Sequence, residues 1–209
     1  GFSVTRLIMS WSRLEPEPGE IDAGYLDQIA ETIAAANAHG IYVVLDMHQD
    51  AWGPFIASPQ DVECEPGTQP AIGWDGAPSW ATLVGDSSTC VTGGRESAPA
   101  VKAAFNSFYS NAPGPDGVGL RDHLVAVWGA VAERFAGLTG VAGYDLLNEP
   151  NYVEPIPESL AGYSEFISDS IEAIRATELD ADADPKPIFV EPIVMYPLPD
   201  TLPDPFIGA

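Results

Sequence analysis

The segment Ile41-Tyr42-Val43-Val44-Leu45-Asp46-Met47 is apolar at almost every position. A strand with one wet face alternates polar and apolar residues, so a nearly continuous run marks a strand covered on both sides, the situation of parallel sheets wrapped by helices. The flanking sequence supplies those helices. Leu26, Ile29, Ala30 and Ile33 recur along one helical face between Asp22, a natural N-cap, and Gly40, a natural residue just past a helix end. Phe2, Val4, Leu7 and Ile8 place a strand before that helix. Downstream, Val101 to Phe108 and Leu120 to Phe135 carry helical periodicity, followed by a strand from Val141 to Leu147, a helix through Leu160, Phe166 and Ile174, and a strand at Ile188-Phe189-Val190. The predicted order is β, α, β, loop, α, α, β, α, β, with the loop occupying 49–98.

Strands joined by helical crossovers make a parallel sheet, either doubly wound or closed into an eight-stranded barrel. A doubly wound nucleotide binder carries a Gly-rich turn after its first strand, but here the opening strand runs into Ser10-Trp11-Ser12-Arg13. Polar residues gather instead where strands end, at His48-Gln49-Asp50, Asn148-Glu149-Pro150 and Glu191-Pro192, with Arg6 inside the opening strand. Barrels place their function at these strand ends, so a TIM barrel, α/β in class, is the expected fold. Composition narrows the partners. With 8 Lys+Arg against 31 Asp+Glu the formal net charge is −23, a field that repels phosphate backbones and anionic headgroups, so nucleic acid is not an expected partner. No run of roughly 18 apolar residues is present to span a membrane.

Cys64 and Cys90 lie in the long Gly/Pro-rich loop, with no second cysteine pair and no histidine cluster beside them. That argues against zinc and for either a disulfide or two free thiols; a disulfide suits a secreted protein, and secretion is the expectation taken here. A connection as long as 49–98 is not an idle one in a compact domain.

Glu149 follows the apolar run Tyr144 to Leu147 directly, where solvation can be tuned to suit a general acid. Asn148 beside it can hydrogen-bond a sugar hydroxyl, and contacts to the 2-OH belong to glycosidase catalysis. Gly143-Tyr144-Asp145-Leu146-Leu147-Asn148-Glu149-Pro150 resembles the acid/base motif of glycoside hydrolase family five, the cellulase-type (β/α)8 barrels. Leu45-Asp46-Met47-His48-Gln49-Asp50, Asp75 to Ala81, and Gly119 to His123 are similar to the endoglycoceramidase branch of that family.

The resemblance implies a retaining β-glycosidase cleaving an oligosaccharide from ceramide, without a metal or other cofactor. Related activities on a steryl glucoside or a β-glucan, and a non-catalytic carbohydrate-binding role, stand beside it. By position, Glu149 would protonate the glycosidic oxygen, Asn148 would bind the 2-OH, Arg6 would orient the nucleophile, and His48 and Asp50 would contact the sugar. From the residues alone, Arg6 reads equally as an ion-pair partner and His48 as a core histidine. Trp52, Trp74 and Trp80 suit either sugar or lipid contacts or packing of their own loop. The resemblance also implies that residues 1–209 correspond to strands two to five of a partial barrel, with the attacking carboxylate on a seventh strand outside them. Glu191, at the strand after that of Glu149, then reads as a supporting or substrate-contacting residue. His39 and His123 sit in helical context with no expected chemistry.

Overall fold

The two apolar runs nearest the N-terminus pair side by side. In the computed structural model, which describes residues 1–56 and 63–193, β1 (Val4–Ser10) runs into the single turn α1 (Trp11–Leu14), and the crossover helix α2 (Ala23–Ala38) returns the chain to β2 (Tyr42–His48). A short hairpin of β3 (Gln69–Pro70) and β4 (Cys90–Val91) precedes α3 (Pro99–Tyr109) and α4 (Leu120–Phe135). Next come β5 (Val141–Asp145), α5 (Ile156–Asp180) and β6 (Ile188–Phe189). Local chemistry sets the boundaries: the Asp22 carboxylate accepts from the Tyr25 N–H at 2.9 Å to cap α2, and Gly40 leaves that helix at φ +71°.

The main sheet has the order β1-β2-β5-β6 with every pairing parallel, and strands sequential along the chain are neighbours in the sheet. That is the topology of successive strand–helix units of a TIM barrel, of which this sheet makes part. Side-chain alternation divides the sheet. Val43, Leu45 and Met47 are buried against the helices with Ile29, Ile33, Val127, Val131, Phe166 and Ile174. Tyr42, Val44, Asp46 and His48 alternate with them and take the opposite, concave side, in register with Val4, Arg6, Ile8 and Ser10.

The described residues of the long connection, 49–56 and 63–98, pack onto the strand ends as a built structure. Asp50 N–H donates to Asp75 O at 3.1 Å and Ala77 N–H to Trp52 O at 2.9 Å, so the two stretches lie in contact. Gly76, at φ +130°, permits this approach, because a Cβ there would collide with the Trp52 carbonyl. Cys64 and Cys90 form a disulfide, with Cα atoms 5.6 Å apart, as one of the two sequence readings anticipated.

The concave side is largely uncovered. Val4, Ile8, Tyr42 and Phe189 are 51%, 49%, 54% and 46% exposed, and β1 has a free edge among the described residues. Exposed apolar surface next to an unpaired strand favours self-association. The 209 residues produced alone are therefore expected to aggregate or to unfold without cooperativity; a monomer with one sharp transition by sedimentation and calorimetry would contradict this.

Candidate active site

The strand ends gather most of the predicted residues at one edge of the sheet. Arg6 projects from the middle of β1 and meets Asp46 of β2 through its Nε at 3.1 Å and Nη2 at 3.2 Å. Its Nη2 also reaches Asn148 Oδ1 at 2.9 Å, Asp145 Oδ2 at 2.8 Å and Glu191 Oε1 at 2.5 Å. One guanidinium thus faces three carboxylates and an amide oxygen. Its two readings from sequence merge: Arg6 is an ion-pair hub, and the hub stands at the candidate catalytic edge. His48 continues the network through Nδ1 to Asp46 Oδ2 at 2.9 Å, while its Nε2 lies 3.4 Å from Asn148 Nδ2.

Asn148 is fixed on both sides of its amide, since Oδ1 accepts from Arg6 and Nδ2 donates to Gln49 O at 3.1 Å. Glu149 follows with an exposed side chain whose carboxylate accepts no hydrogen bond among the described residues. Its backbone lies at φ +42°, a region that costs a non-glycine residue about 1–2 kcal/mol. Glu191 bridges the cluster, its Oε2 accepting from Glu149 N–H at 2.8 Å. Asp50 stands apart from Arg6. It is ion-paired with Arg95, whose guanidinium lies 4.6 Å from the centre of the exposed Trp74 ring, and it lines a narrow cleft together with Gln49, Asn151 and Glu149.

Trp52 and Trp80 pack rather than face the cleft. Trp52 is 2% exposed and sits edge-on to Trp11 and Phe105, with ring centres 6.2 and 4.9 Å away. Trp80 packs on Trp11 and His123 and donates from Nε1 to Glu15 O at 3.2 Å. Of the two readings the sequence offered, these contacts are those of packing within the loop, with Trp52 buried and Trp80 half-buried. His123 is likewise structural, holding the buried Glu15 carboxylate at 2.7 Å.

Sequence reasoning assigned no role to Asp46, Asp145, Gln49 or Arg95. The first two were visible as lone ionisable residues in otherwise apolar strands. Gln49 and Arg95 carried no such signal, since their partners come from distant segments. A cleft of about 300 Å³ beside Glu149 is lined by Gly94, Glu96, Ser97, Lys102, Asn151 and Tyr152. A cleft of similar volume at the opposite strand ends, around Gly40 and Gly140, contains no carboxylate.

The surplus of negative charge around Arg6 has a protonation consequence. Burial pushes the Asp145 carboxyl up to about 6, with Asp46 and Glu191 adding to the effect and Arg6 opposing it. His48 is raised by its hydrogen bond to Asp46, against the effect of burial. Both groups hold their protons more firmly in the fold than in the unfolded chain, where such groups titrate near ~4 and ~6.5. Each contribution is complete below the unfolded pKa and is lost as pH rises through the folded one. Asp145 therefore costs native stability as pH climbs from about 4 to about 6, and His48 does so above about 6.5. In denaturant titrations of the natural full-length polypeptide, Asp145→Asn should flatten the pH dependence between about 4 and 6; parallel slopes for variant and parent would contradict the assignment.

Comparison with known proteins agrees with this geometry. The family model described as cellulase, glycosyl hydrolase family 5, matches residues 1–193. Endoglycoceramidase I of Rhodococcus hoagii (strain 103S) is 33% identical over 154 residues, covering 72% of this chain and 27% of the relative. An endoglycoceramidase of Cyanea nozakii is 27% identical over 175 residues, covering 72% and 31%. The chain thus spans under a third of the length of these curated relatives. Among solved structures, an endogalactoceramidase superposes with a TM-score of 0.83 at 45% identity, over 92% of this chain and 41% of that one. Endo-glycoceramidase II from Rhodococcus sp., solved as a ganglioside GM3 complex, gives 0.75 at 30% identity, over 91% and 41%. The family match takes in every described strand and the whole cluster around Arg6, and the chain belongs to glycosyl hydrolase family 5.

Proposed function

We propose that this chain supplies the acid/base side of a retaining β-glycosidase that releases an oligosaccharide from a glycolipid, with ceramide as the aglycone. The observation that carries the reading is the Asn148-Glu149-Pro150 motif just after β5, where Glu149 presents a carboxylate unengaged among the described residues, beside an Asn148 amide fixed by Arg6 and Gln49. Glu149 protonates the departing glycosidic oxygen and then takes the proton from the water that releases the sugar. Asn148 holds the 2-OH, and His48 and Asp50 line the sugar side. Retention requires a second carboxylate about 5–5.5 Å away to attack the anomeric carbon. Glu191 is not assigned that role, because it follows β6, the strand next to that of Glu149, and its Oε2 is held by the Glu149 N–H and not across the barrel mouth from it.

The cleft lined by Lys102, Asn151 and Tyr152 adjoins Glu149 and suits the leaving group. The glycolipid preference is supported by the relatives, which include proteins named endoglycoceramidase, glucosylceramidase and endogalactoceramidase. The Cys64–Cys90 disulfide supports secretion into an oxidising compartment. No helix among the described residues is long and apolar enough to cross a membrane.

Glu149→Gln in the natural full-length polypeptide should lower turnover of a β-linked glycosphingolipid by roughly 10²–10⁴-fold while leaving substrate binding intact. Unchanged hydrolysis would remove Glu149 from the mechanism. Parallel assays with a steryl β-glucoside and a soluble β-glucan separate the aglycone classes, and cleavage of either in preference to the glycosphingolipid would overturn the ceramide reading. Proton NMR of the first sugar released should show the β-anomer; the α-anomer would rule out retention.

A further inference from the structure

We infer that Gln49 and Glu191 are positioning residues that grip the Glu149 peptide from its two sides and hold its carboxylate where a leaving-group oxygen will stand; this rests on the acid/base role of Glu149. Glu149 occupies the left-handed backbone region at φ +42°, and Pro150 after it disfavours the right-handed helical region. Left free, the residue would relax toward an extended conformation and swing its side chain away. Strain of this kind persists only where the surroundings over-determine it.

The surroundings do so through two side chains from different strands. On the carbonyl side, Gln49 Nε2 donates to Asn148 O at 2.9 Å and to Glu149 O at 2.8 Å. Gln49 is itself 6% exposed, and its Oε1 accepts from the N–H of Trp52 at 2.8 Å, which ties the amide to the aromatic core. On the amide side, Glu191 Oε2 accepts from Glu149 N–H at 2.8 Å while Oε1 is held by Arg6. The Glu191 carbonyl accepts from the Tyr163 hydroxyl at 2.8 Å, which anchors this half to α5. Both hydrogen-bonding groups of the strained residue are therefore matched, and each partner is braced by the core behind it. Neither side chain needs to touch substrate for this to work.

The consequence is specific to proton donation. Gln49→Met keeps length and burial but cannot donate, and it is the first variant to make in the natural full-length polypeptide. A misplacement of about 1 Å at a reacting group costs on the order of 10²-fold. We expect that loss in kcat/KM for a β-glycoside with an alkyl leaving group, which needs a proton. A dinitrophenyl glycoside of the same sugar departs without one, so its kcat/KM, which reports cleavage of the glycosidic bond and not the base-assisted release of the sugar, should stay within about threefold. Equal losses on both substrates would overturn the inference, as a merely structural defect lowers both. Glu191→Ala opens the other half of the grip and should show the same leaving-group selectivity, which decides the matter if Gln49→Met does not fold. A crystal structure of either variant gives a readout independent of activity: residue 149 should leave the left-handed region or its carboxylate should shift, and an unmoved Glu149 would overturn the inference. Should the parent enzyme cleave no β-glycoside, the proposed function fails, while the crystal structures still decide the grip.

Discussion

A single guanidinium compensates three carboxylates at the mouth of this sheet, and the geometry of the site depends on it. Asp46 is fully buried, and Asp145 nearly so, on the concave side of strands whose other face is a hydrocarbon core. Among the described residues neither carboxylate has another cation beside it, apart from His48 when that ring is protonated. Removing one partner of a buried ion pair costs about 3–5 kcal/mol because the remaining charge stays desolvated. Arg6 avoids that cost and also fixes directions. Its Nη2 meets oxygens from β2, β5 and the segments after β5 and β6, so four parts of the chain are aligned on one nitrogen. Burial, with the neighbouring carboxylates adding to it, raises the proton affinity of Asp145, and the hydrogen bond to Asp46 raises that of His48.

The rest of the architecture brings those oxygens within reach. Helices α2, α4 and α5 cover the outer face and set the parallel register that puts Arg6 opposite Val44, two residues before Asp46. The aromatic cluster of Trp11, Trp52, Trp80, Phe105 and Phe108 fastens the described parts of the 49–98 segment, around Trp52 and Trp80, over the strand ends. That leaves Gln49 rigid at the base of the segment and Trp74 exposed at its rim. An acidic chain of net charge −23 thus concentrates two of its few cations, Arg6 and Arg95, at one end of the sheet. Each of them neutralises a carboxylate beside the candidate sugar site.

Much of this was legible in the sequence because it rests on local periodicity. The run Ile41 to Met47 reports burial on both faces by its composition alone, and the cap at Asp22 and the exit at Gly40 follow from side-chain chemistry within a few residues. The strand-end positions of His48, Asn148, Glu149 and Glu191 could be read for the same reason. Contacts between residues far apart in the chain were not legible. Nothing in Gln49 announces that its amide meets the carbonyl of Glu149, and nothing in Trp52 announces that its ring turns inward toward Phe105 and not toward the cleft. An aromatic residue in a polar loop has the same sequence signature whether it awaits a ligand or packs the loop down. Only tertiary packing separates the two.

Whether Arg6 aligns the groups around Glu149 is decided by a high-resolution crystal structure of Arg6→Met in the natural full-length polypeptide. In that variant the strands should keep their register while the Asn148 amide and the Glu191 carboxylate move by more than about 1 Å, carrying Glu149 out of its left-handed conformation. Asn148, Glu149 and Glu191 superposing on the parent within coordinate error would contradict it.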